Sequence, residues 1–245
     1  MKAINEKLNG LFAGWMQKAR QYGDNDFVLD GLMNDEQFSE ENWWDSNLRI
    51  VCISKDPYFT NSDELEEGDL NGEDYRGYNL LEMSEEKRFW KNILTMVYGI
   101  ANTEAGAFPE YSEASSFETR ANTWRDIPFA FVNIKKQAGD STVSNSVLRD
   151  YARKYKEHLK EEIREIICPN VVYCCGTSGI VMDEIYDDVK FEQIDDIGYI
   201  FYNKEEKLLL IAGHHPTARI GNRDMYENVV KPYAEFLKDY IFPDD

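Results

Sequence analysis

The sequence predicts an α/β fold: a single-domain three-layer sandwich in which helices flank a central, mostly parallel sheet. Short apolar runs typical of buried strands alternate with amphipathic segments of helical periodicity through most of the chain. Hydrophobic residues make up 42% of the 245 residues, which is enough for a sizeable core. No internal repeat, low-complexity tract or linker interrupts the pattern, so we expect one domain over 1–245.

The first part of the chain is expected to hold one strand between two helices. Residues 6–22 repeat apolar side chains at helical spacing, and Gly23 marks the end of that helix. Residues 49–54 (RIVCIS) form an apolar run typical of a buried strand, and a loop begins near Pro57. Residues 85–100 again carry apolar side chains at helical spacing, which predicts a second helix.

The later part alternates more regularly. Residues 127–133 (IPFAFVN) indicate a buried strand, with Pro128 confined to its beginning. An amphipathic helix is predicted over 144–167, because a capping Ser or Asn precedes it and Pro169 follows it. The remaining predicted elements are a strand at 170–175, a helix after the turn 176–179, strands at 199–202 and 207–212, and a helix at 224–240.

Charge limits the classes of partner. The formal net charge is −19 at pH 7, which opposes binding to phosphate groups. The excess is uneven, since residues 61–88 and 183–206 are strongly acidic whereas residues 133–164 hold eight basic and five acidic side chains. The field at a local site can therefore differ in sign from the global one.

The composition also predicts the cellular compartment. No apolar run approaches the ~20 residues that a membrane helix requires. Residues 1–7 lack the apolar core of a secretory signal. The four cysteines have no CxxC spacing, which indicates reduced thiols and neither a metal site nor a disulfide framework. We therefore expect a cytoplasmic protein with no membrane partner.

Three polar side chains lie at the carboxyl ends of different predicted strands: Asp56, Asn133 and His215. Ligands of parallel sheets bind beyond these ends, so the three side chains are the candidate site. Each alone has an ordinary structural interpretation as a turn, a backbone cap or a strand end. Together they suit the hydrolysis of a bond between a sugar and a nucleobase. Its transition state places positive charge on the sugar and negative charge on the base, which a carboxylate and a neutral imidazole stabilise.

Short motifs around these residues resemble those of the uracil-DNA glycosylase superfamily. Residues 54–59 (SKDPYF) look like that family's first motif, Gly-Gln-Asp-Pro-Tyr-His, and residues 215–219 (HPTAR) look like its second, His-Pro-Ser-Pro followed by Leu or Arg. Residues 131–133 (FVN) match the strand whose Asn recognises uracil. Residues 89–93 (FWKNI) and 172–176 (VYCCG) resemble a helix and a Gly-ended strand of the family. The five motifs come in family order, which favours the family's fold and activity.

The resemblance implies a role for each matched residue. Asp56 would activate water, Asn133 would hold the uracil edge and His215 would stabilise the departing uracil. Tyr58 would exclude a thymine methyl group, and Arg219 would fill the gap left by a flipped base.

The resemblance also implies a stacking aromatic and contacts to DNA. Tyr78 is the first candidate for stacking on the base and Tyr75 the second, although packing roles are equally open for both. The basic helix residues at 149–156 are better explained as a charged solvated face. DNA contacts are expected from the hydroxyls of Ser54 and Thr217, which lie in the two motifs. The basic pair Lys135 and Lys136 is also expected to contact DNA, with a solvated surface charge as the alternative.

The chain departs from the family pattern in its first motif and its charge. Ser54 and Lys55 replace Gly-Gln, which crowds a close backbone approach, and Phe59 replaces the last His of that motif. An acidic insertion at 63–74 lies on the expected DNA side, where its charge repels phosphates.

The leading hypothesis from the sequence is a monomeric DNA glycosylase that removes uracil or a related damaged base from DNA and needs no cofactor. Two alternatives stay open. One is a binding or regulatory protein that has the family's fold without its activity. The other is an N-glycosidase that acts on a nucleoside outside DNA, for which fewer phosphate contacts are needed.

Overall fold

A mixed sheet forms the centre of the protein. The computed structural model describes residues 2–24, 27–57, 73–137 and 143–240. Within these ranges the strands are β1 (Val28–Leu29), β2 (Gly31–Leu32), β3 (Ile50–Ser54), β4 (Glu73–Asp74), β5 (Phe129–Asn133), β6 (Val171–Cys175), β7 (Glu192–Gln193), β8 (Ile200–Asn203) and β9 (Leu208–Gly213). Seven of them form one sheet in the order β2-β5-β3-β6-β9-β8-β7, and β1 pairs with β4.

Helices occupy most of the remaining described chain. They are α1 (Lys2–Gln21), α2 (Glu40–Trp44), α3 (Leu80–Glu86), α4 (Arg88–Ala101), α5 (Tyr111–Ala114), α6 (Phe117–Asp126), α7 (Asn145–Lys154), α8 (Lys156–Lys160), α9 (Ser178–Ile180) and α10 (Asn222–Asp239). Wider π-helical turns continue α8 over Glu161–Ile167 and α9 over Val181–Ile185. Among the described residues, no helix is long and apolar enough to cross a bilayer.

Four adjacent strands in the middle of the sheet are parallel: β5, β3, β6 and β9. The antiparallel strand β2 lies at one edge, and β8 and β7 extend the other. Every residue of β3, β5 and β6 is buried. Burial on both faces explains why these strands are apolar throughout and do not alternate with polar residues. The predicted α/β class is therefore confirmed, while the sheet as a whole is mixed and only its four central strands are parallel.

Helices cover both faces of the sheet. Successive strand residues point to opposite faces, so each strand contributes to two cores. In β3, Val51 and Ile53 belong to the core that also contains side chains of α1, α7 and α8. Ile50 and Cys52 belong to the core shared with α4 and α10. This arrangement is compatible with the predicted three-layer sandwich.

The chain connections diverge between β3 and β6. From β3 the chain leads to the neighbouring strand β5 on one side, and from β6 it leads to β9 on the other. Ligands bind in the crevice that such a divergence leaves at the carboxyl ends of the strands. The register aligns those ends, because Asn133 pairs with Ser54 and Cys175 pairs with Gly213. The loops after all four parallel strands therefore begin at one level beside this crevice.

Two segments that the sequence predicts as continuous helices are divided in the structure. The helix expected at 144–167 is divided at Tyr155, whose φ of −117° and ψ of 24° end α7. The Tyr155 hydroxyl donates a 2.5 Å hydrogen bond to Asp24 beyond α1, which stabilises this break. The segment at 85–100 is divided at Lys87, whose extended backbone separates α3 from α4.

Several short elements leave no periodic pattern in the sequence. β1, β2 and β4 have two residues each, which is too few to display alternation. In α6 the buried positions are the polar side chains Arg120 and Thr123, so no apolar stripe indicates the helix.

The close approach of Gly213 to a neighbouring strand can be tested by a small substitution. A Cβ atom at Gly213 would lie 2.3 Å from the ring of Tyr173, which is buried on β6. Because a packed ring cannot move freely, Gly213→Ala is expected to lower the free energy of unfolding by about 1–3 kcal/mol in urea titrations. Gly179→Ala is the control, since a Cβ there meets nothing within 4 Å. Equal stability of the two variants would contradict the packing described.

Candidate active site

The candidate residues follow strands that end at one edge of the sheet. Neighbouring strands lie about 4.8 Å apart, so β5 and β9 are separated by about 14 Å across β3 and β6. Asn133 ends β5 on one side of the crevice, and His215 follows β9 on the other. Asp56 follows β3 between them. The fold thus brings the three predicted strand ends to one edge.

Asp56 lies on a loop that is held beside the loop after β5. The carbonyl of Ser54 accepts a 3.0 Å hydrogen bond from the N–H of Ile134, and the carbonyl of Lys55 accepts one of 2.9 Å from Lys135. Parallel pairing therefore continues past the strand ends. The Asp56 side chain is half-buried, and its Oδ2 atom is shielded from solvent. A carboxylate in this position is only partly hydrated.

The imidazole of His215 is fixed in one tautomer by the next turn of its own loop. The backbone N–H of Thr217 donates to Nδ1 at 3.3 Å, and the Thr217 hydroxyl lies 3.0 Å from the same atom. An N–H donor requires a lone pair on Nδ1, so the proton of the neutral ring is carried by Nε2. The Nε2–H group is therefore the hydrogen-bond donor that this ring offers.

His215 is also held neutral. Burial, together with the positive charge of Lys55, lowers its pKa to about 4. The ring consequently stays uncharged throughout the physiological pH range. A neutral donor suits a leaving group that becomes negative, because it stabilises the charge without first giving up a proton.

The loop that carries His215 is held by three neighbouring contacts. Gly176, at the end of β6, has a φ of +73°, and a Cβ there would lie 3.1 Å from the backbone nitrogen of His215. On α4, the buried Asn92 donates a 2.7 Å hydrogen bond to the carbonyl of Pro216. Arg88 donates at 2.8 Å to the carbonyl of Ile220. The motif that ends in Gly176 and the start of α4 therefore both contact the loop that carries His215.

Asn133 is held by a residue that the sequence does not single out. Asn133 is 2% exposed, and its backbone N–H donates a 2.7 Å hydrogen bond to Oδ2 of Asp30. Its carboxamide Nδ2 lies 3.4 Å from the same oxygen. Asp30 stands between β1 and β2, more than a hundred residues away in the chain, so no local pattern could reveal the contact.

Asp30 belongs to a fully buried ion cluster, hereafter the Asp30–Lys136–Glu162 cluster. The Lys136 ammonium lies 2.6 Å from Asp30 Oδ1 and 2.7 Å from Glu162 Oε1, and all three side chains are 0% exposed. Burial raises the pKa of Glu162 well above its usual range, since one ammonium cannot neutralise two carboxylates. The expectation that Lys136 contacts DNA is therefore wrong, because its charge is used inside the protein.

The other expected DNA contacts differ in exposure. Ser54 is 1% exposed, so its hydroxyl does not reach a phosphate and that expectation is also wrong. Lys135 is half-buried, and its ammonium donates a 2.8 Å hydrogen bond to the carbonyl of Gln137. Thr217 and Arg219 are exposed on the loop after His215, where a phosphate or a base can reach them.

An aromatic side chain missed by the sequence reasoning lies beside His215. The ring of Phe89, at the start of α4, is centred 5.6 Å from the His215 ring and 5.9 Å from Phe131 on β5. By strand alternation Asn133 shares the face of Phe131. Phe89 is half-buried, so part of its ring remains accessible on that face. In the sequence, the feature that could have indicated Phe89 as a site residue is its position in the FWKNI motif.

The two tyrosines proposed for stacking pack against each other. Their ring centres lie 5.0 Å apart. Tyr75 is 5% exposed and packs edge-on against Trp90, which makes it a core residue. Tyr78 is half-buried. Tyr58, Phe59 and residues 63–72 of the acidic insertion lie outside the described residues.

The basic face of α7 and α8 is neutralised by the acidic segment that follows α9. Arg149 and Arg153 pair with Glu184, at 3.2 and 2.9 Å. Lys156 lies 2.5 Å from Asp187. These pairs support the interpretation of this face as structural.

Metal ligation and thiol chemistry find little support in the described ranges. Within them, no three His, Cys, Asp or Glu side chains form a group that could hold a metal ion. Burial raises the pKa of the Cys52 and Cys174 thiols, so neither offers a thiolate nucleophile. The ring of His214 is directed at Tyr199, because its Nε2 is hydrogen-bonded to the Tyr199 hydroxyl at 2.8 Å.

Comparison of the chain with models of known protein families, and with curated protein sequences, gives no significant match.

The neutral state of His215 is testable by titration. Removing the Lys55 charge eliminates its repulsion of the imidazolium, so Lys55→Met should raise the pKa of His215 above about 4 towards its ordinary value. Nitrogen-15 NMR of the imidazole rings measures the pKa and reports the Nε2–H tautomer directly. Lys156→Met removes a distant charge and should leave the titration unchanged. A wild-type His215 that titrates near 6.5 would contradict the burial described.

Proposed function

We propose that the chain hydrolyses the N-glycosidic bond between a deoxyribose and a nucleobase flipped out of DNA, with uracil as the leading substrate. The observation that carries this proposal is the neutral His215, whose Nδ1 accepts the Thr217 N–H, on the loop after β9 at the sheet edge where Asp56 and Asn133 also follow or end strands. The proposal is further supported by the five motifs that resemble the uracil-DNA glycosylase superfamily. The described residues of these motifs lie at the end of β3 and just after it, in α4, in β5, in β6 and just after it, and in the loop after β9.

The proposed reaction divides the developing charges between two side chains. As the bond from C1′ to the base breaks, its electron pair leaves with the base and the sugar becomes cationic. The Asp56 carboxylate stabilises this cation, orients the water that bonds to C1′ and accepts the proton that the water loses. The Nε2–H of His215 donates a hydrogen bond to the base anion, which later takes its proton from solvent.

Recognition of the base is assigned to Asn133. A carboxamide offers a donor beside an acceptor, which complements the adjacent N–H and carbonyl groups of uracil. For stacking we propose Phe89 in preference to Tyr78, because Phe89 touches His215 and lies on the face of Asn133. A flipped base stacks on such a ring with a favourable free energy of about 1–3 kcal/mol.

Phosphate contacts are proposed for a basic rim beside His215 in place of Lys136. Arg88 donates hydrogen bonds to Ile220 and Asn222, which places the start of α4 against the loop that carries Arg219. The rim combines exposed or half-exposed basic side chains of α4, the loop after β9, the start of α10 and the loop after β3: Lys55, Arg88, Lys91, Arg219 and Arg223. Such a local field can attract DNA although the whole chain is acidic.

The runner-up function is a binding or regulatory protein without glycosylase activity. The net charge of −19 and the internal pairing of the α7–α8 basic face favour it. An N-glycosidase acting on a free nucleoside is the third possibility, and it would need no basic rim. Salt dependence separates these possibilities, because only DNA binding weakens steeply as salt rises.

Release of uracil from oligonucleotides tests the proposed chemistry. Asp56→Asn keeps the size of the side chain but removes the charge that stabilises the sugar cation. We expect it to lower the single-turnover rate by about 10²–10⁴-fold while DNA affinity stays nearly unchanged. Asp126→Asn, at an exposed position on α6, is the matched control.

Equal rates for Asp56→Asn and the wild type would remove Asp56 from the mechanism. A folded wild-type sample that releases no uracil from single-stranded or duplex DNA would favour the binding-protein alternative.

The basic rim is tested by salt titration of duplex binding. Arg219→Ala should reduce the slope of log K against log salt by about 0.9, because one phosphate contact is lost. It should also slow uracil release more on duplex than on single-stranded DNA, because only the duplex leaves a gap to fill. Lys154→Ala is the control, since that ammonium is paired with Asp24 at 2.6 Å. Identical slopes for Arg219→Ala and the wild type would exclude Arg219 from the interface.

A further inference from the structure

We infer that Asp30 is a positioning residue that sets the orientation of the Asn133 carboxamide and thereby selects bases with an N–H beside a carbonyl. The inference rests on the proposed function for its substrate class, whereas the positioning itself stands on contacts within the protein. Asp30 lies at the antiparallel edge of the sheet, where the adjacent Gly31 pairs with Phe131 of β5. It therefore reaches Asn133 from behind the crevice.

The contacts between Asp30 and Asn133 determine which end of the carboxamide is turned towards Asp30. Oδ2 of Asp30 accepts the backbone N–H of Asn133 at 2.7 Å and lies 3.4 Å from the carboxamide Nδ2. An ionised carboxylate only accepts hydrogen bonds, so the group turned towards it must be the NH2 group and not the oxygen. The flip of the carboxamide is consequently fixed before any base arrives.

The buried ammonium of Lys136 keeps Asp30 an acceptor. It lies 2.6 Å from Oδ1 of Asp30, while Oδ2 serves Asn133. The two oxygens of the carboxylate are thus divided between two partners, one accepting from the ammonium and one from Asn133. Glu162 provides the second carboxyl group for Lys136 at 2.7 Å, and burial raises the pKa of Glu162 well above its usual range.

The fixed orientation has a consequence for the substrate class. With one N–H of the carboxamide directed at Asp30, the other N–H and the oxygen remain as a donor beside an acceptor. This pair complements uracil or hypoxanthine, whose edges present a carbonyl next to an N–H. It mismatches cytosine and adenine, whose edges present an amino group next to an unprotonated nitrogen. Asp30 would thus direct the site towards deaminated bases.

Asp30→Asn tests the inference, with Glu162→Gln as the matched control. The amide at position 30 turns one of the two oxygens into an NH2 donor, and the Lys136 ammonium retains the remaining oxygen. The Asn133 carboxamide then faces a donor and loses its fixed partner. Glu162→Gln replaces the buried carboxyl group with a neutral group of the same shape and leaves the Asp30–Asn133 contacts in place. Asp30→Ala is the second variant if Asp30→Asn does not fold, because Glu162 can still pair with Lys136.

Two readouts are independent of catalysis. Proton–nitrogen NMR measures hydrogen exchange of the Asn133 backbone and side-chain amides. It also measures the binding of free uracil and free cytosine. Asp30→Asn should speed exchange by about tenfold or more and reduce the preference for uracil by about tenfold, as the loss of one hydrogen bond predicts. Glu162→Gln should change neither.

The outcomes separate this inference from the proposed function. If Asp30→Asn leaves amide exchange of Asn133 and the preference for uracil unchanged, the inference is overturned. It is also overturned if Glu162→Gln changes both as much as Asp30→Asn does, because that result is expected of a cluster with only a structural role. If neither the wild type nor any folded variant binds free uracil or free cytosine, the inference that Asp30 directs the choice of base is overturned. A wild type that prefers free uracil but releases none from DNA would reject the glycosylase and leave Asp30 as the positioning residue.

Discussion

The common end point of four parallel strands is the constraint on which the rest of the site depends. β5, β3, β6 and β9 are hydrogen-bonded in a register that aligns their carboxyl ends, and the connections diverge in the middle of this set. A carboxylate, a carboxamide and an imidazole that are far apart in the chain therefore border one crevice. Because every residue of β3, β5 and β6 is buried, a shift in register would be opposed by both cores, and the strand ends have little freedom to separate.

Two polar side chains at this edge are prepared for their proposed roles by opposite means. His215 is kept neutral by partial burial and by the positive charge of Lys55, and its tautomer is fixed by a backbone N–H. Asn133 is oriented by the carboxylate of Asp30, which is fully buried and paired with the Lys136 ammonium. In both cases a neighbouring group decides which hydrogen-bonding group the side chain offers: a backbone N–H for His215 and a carboxylate for Asn133. Such preorganisation is what electrostatic stabilisation of a charged transition state requires.

The sequence predicts the fold class and the three strand-end residues because both depend on local patterns. Apolar runs identify the central strands, and Asp56, Asn133 and His215 each follow one of them. Contacts between distant segments are not visible in this way. Lys136 follows a strand beside Lys135 and resembles a surface cation, yet it is buried between carboxylates of β-edge and helical segments. Asp30 and Phe89 were missed for the same reason, since only the folded chain brings them to Asn133 and His215.

The central claim is that this edge of the sheet separates a base from its sugar by hydrolysis. Mass spectrometry of oligonucleotides that each contain one uracil, one hypoxanthine or only ordinary bases tests it most directly. The account predicts a free deaminated base together with an intact strand that lacks only that base, and no change in the ordinary strand. Intact substrates after incubation with folded protein, or cleavage of strands without loss of a base, would contradict it.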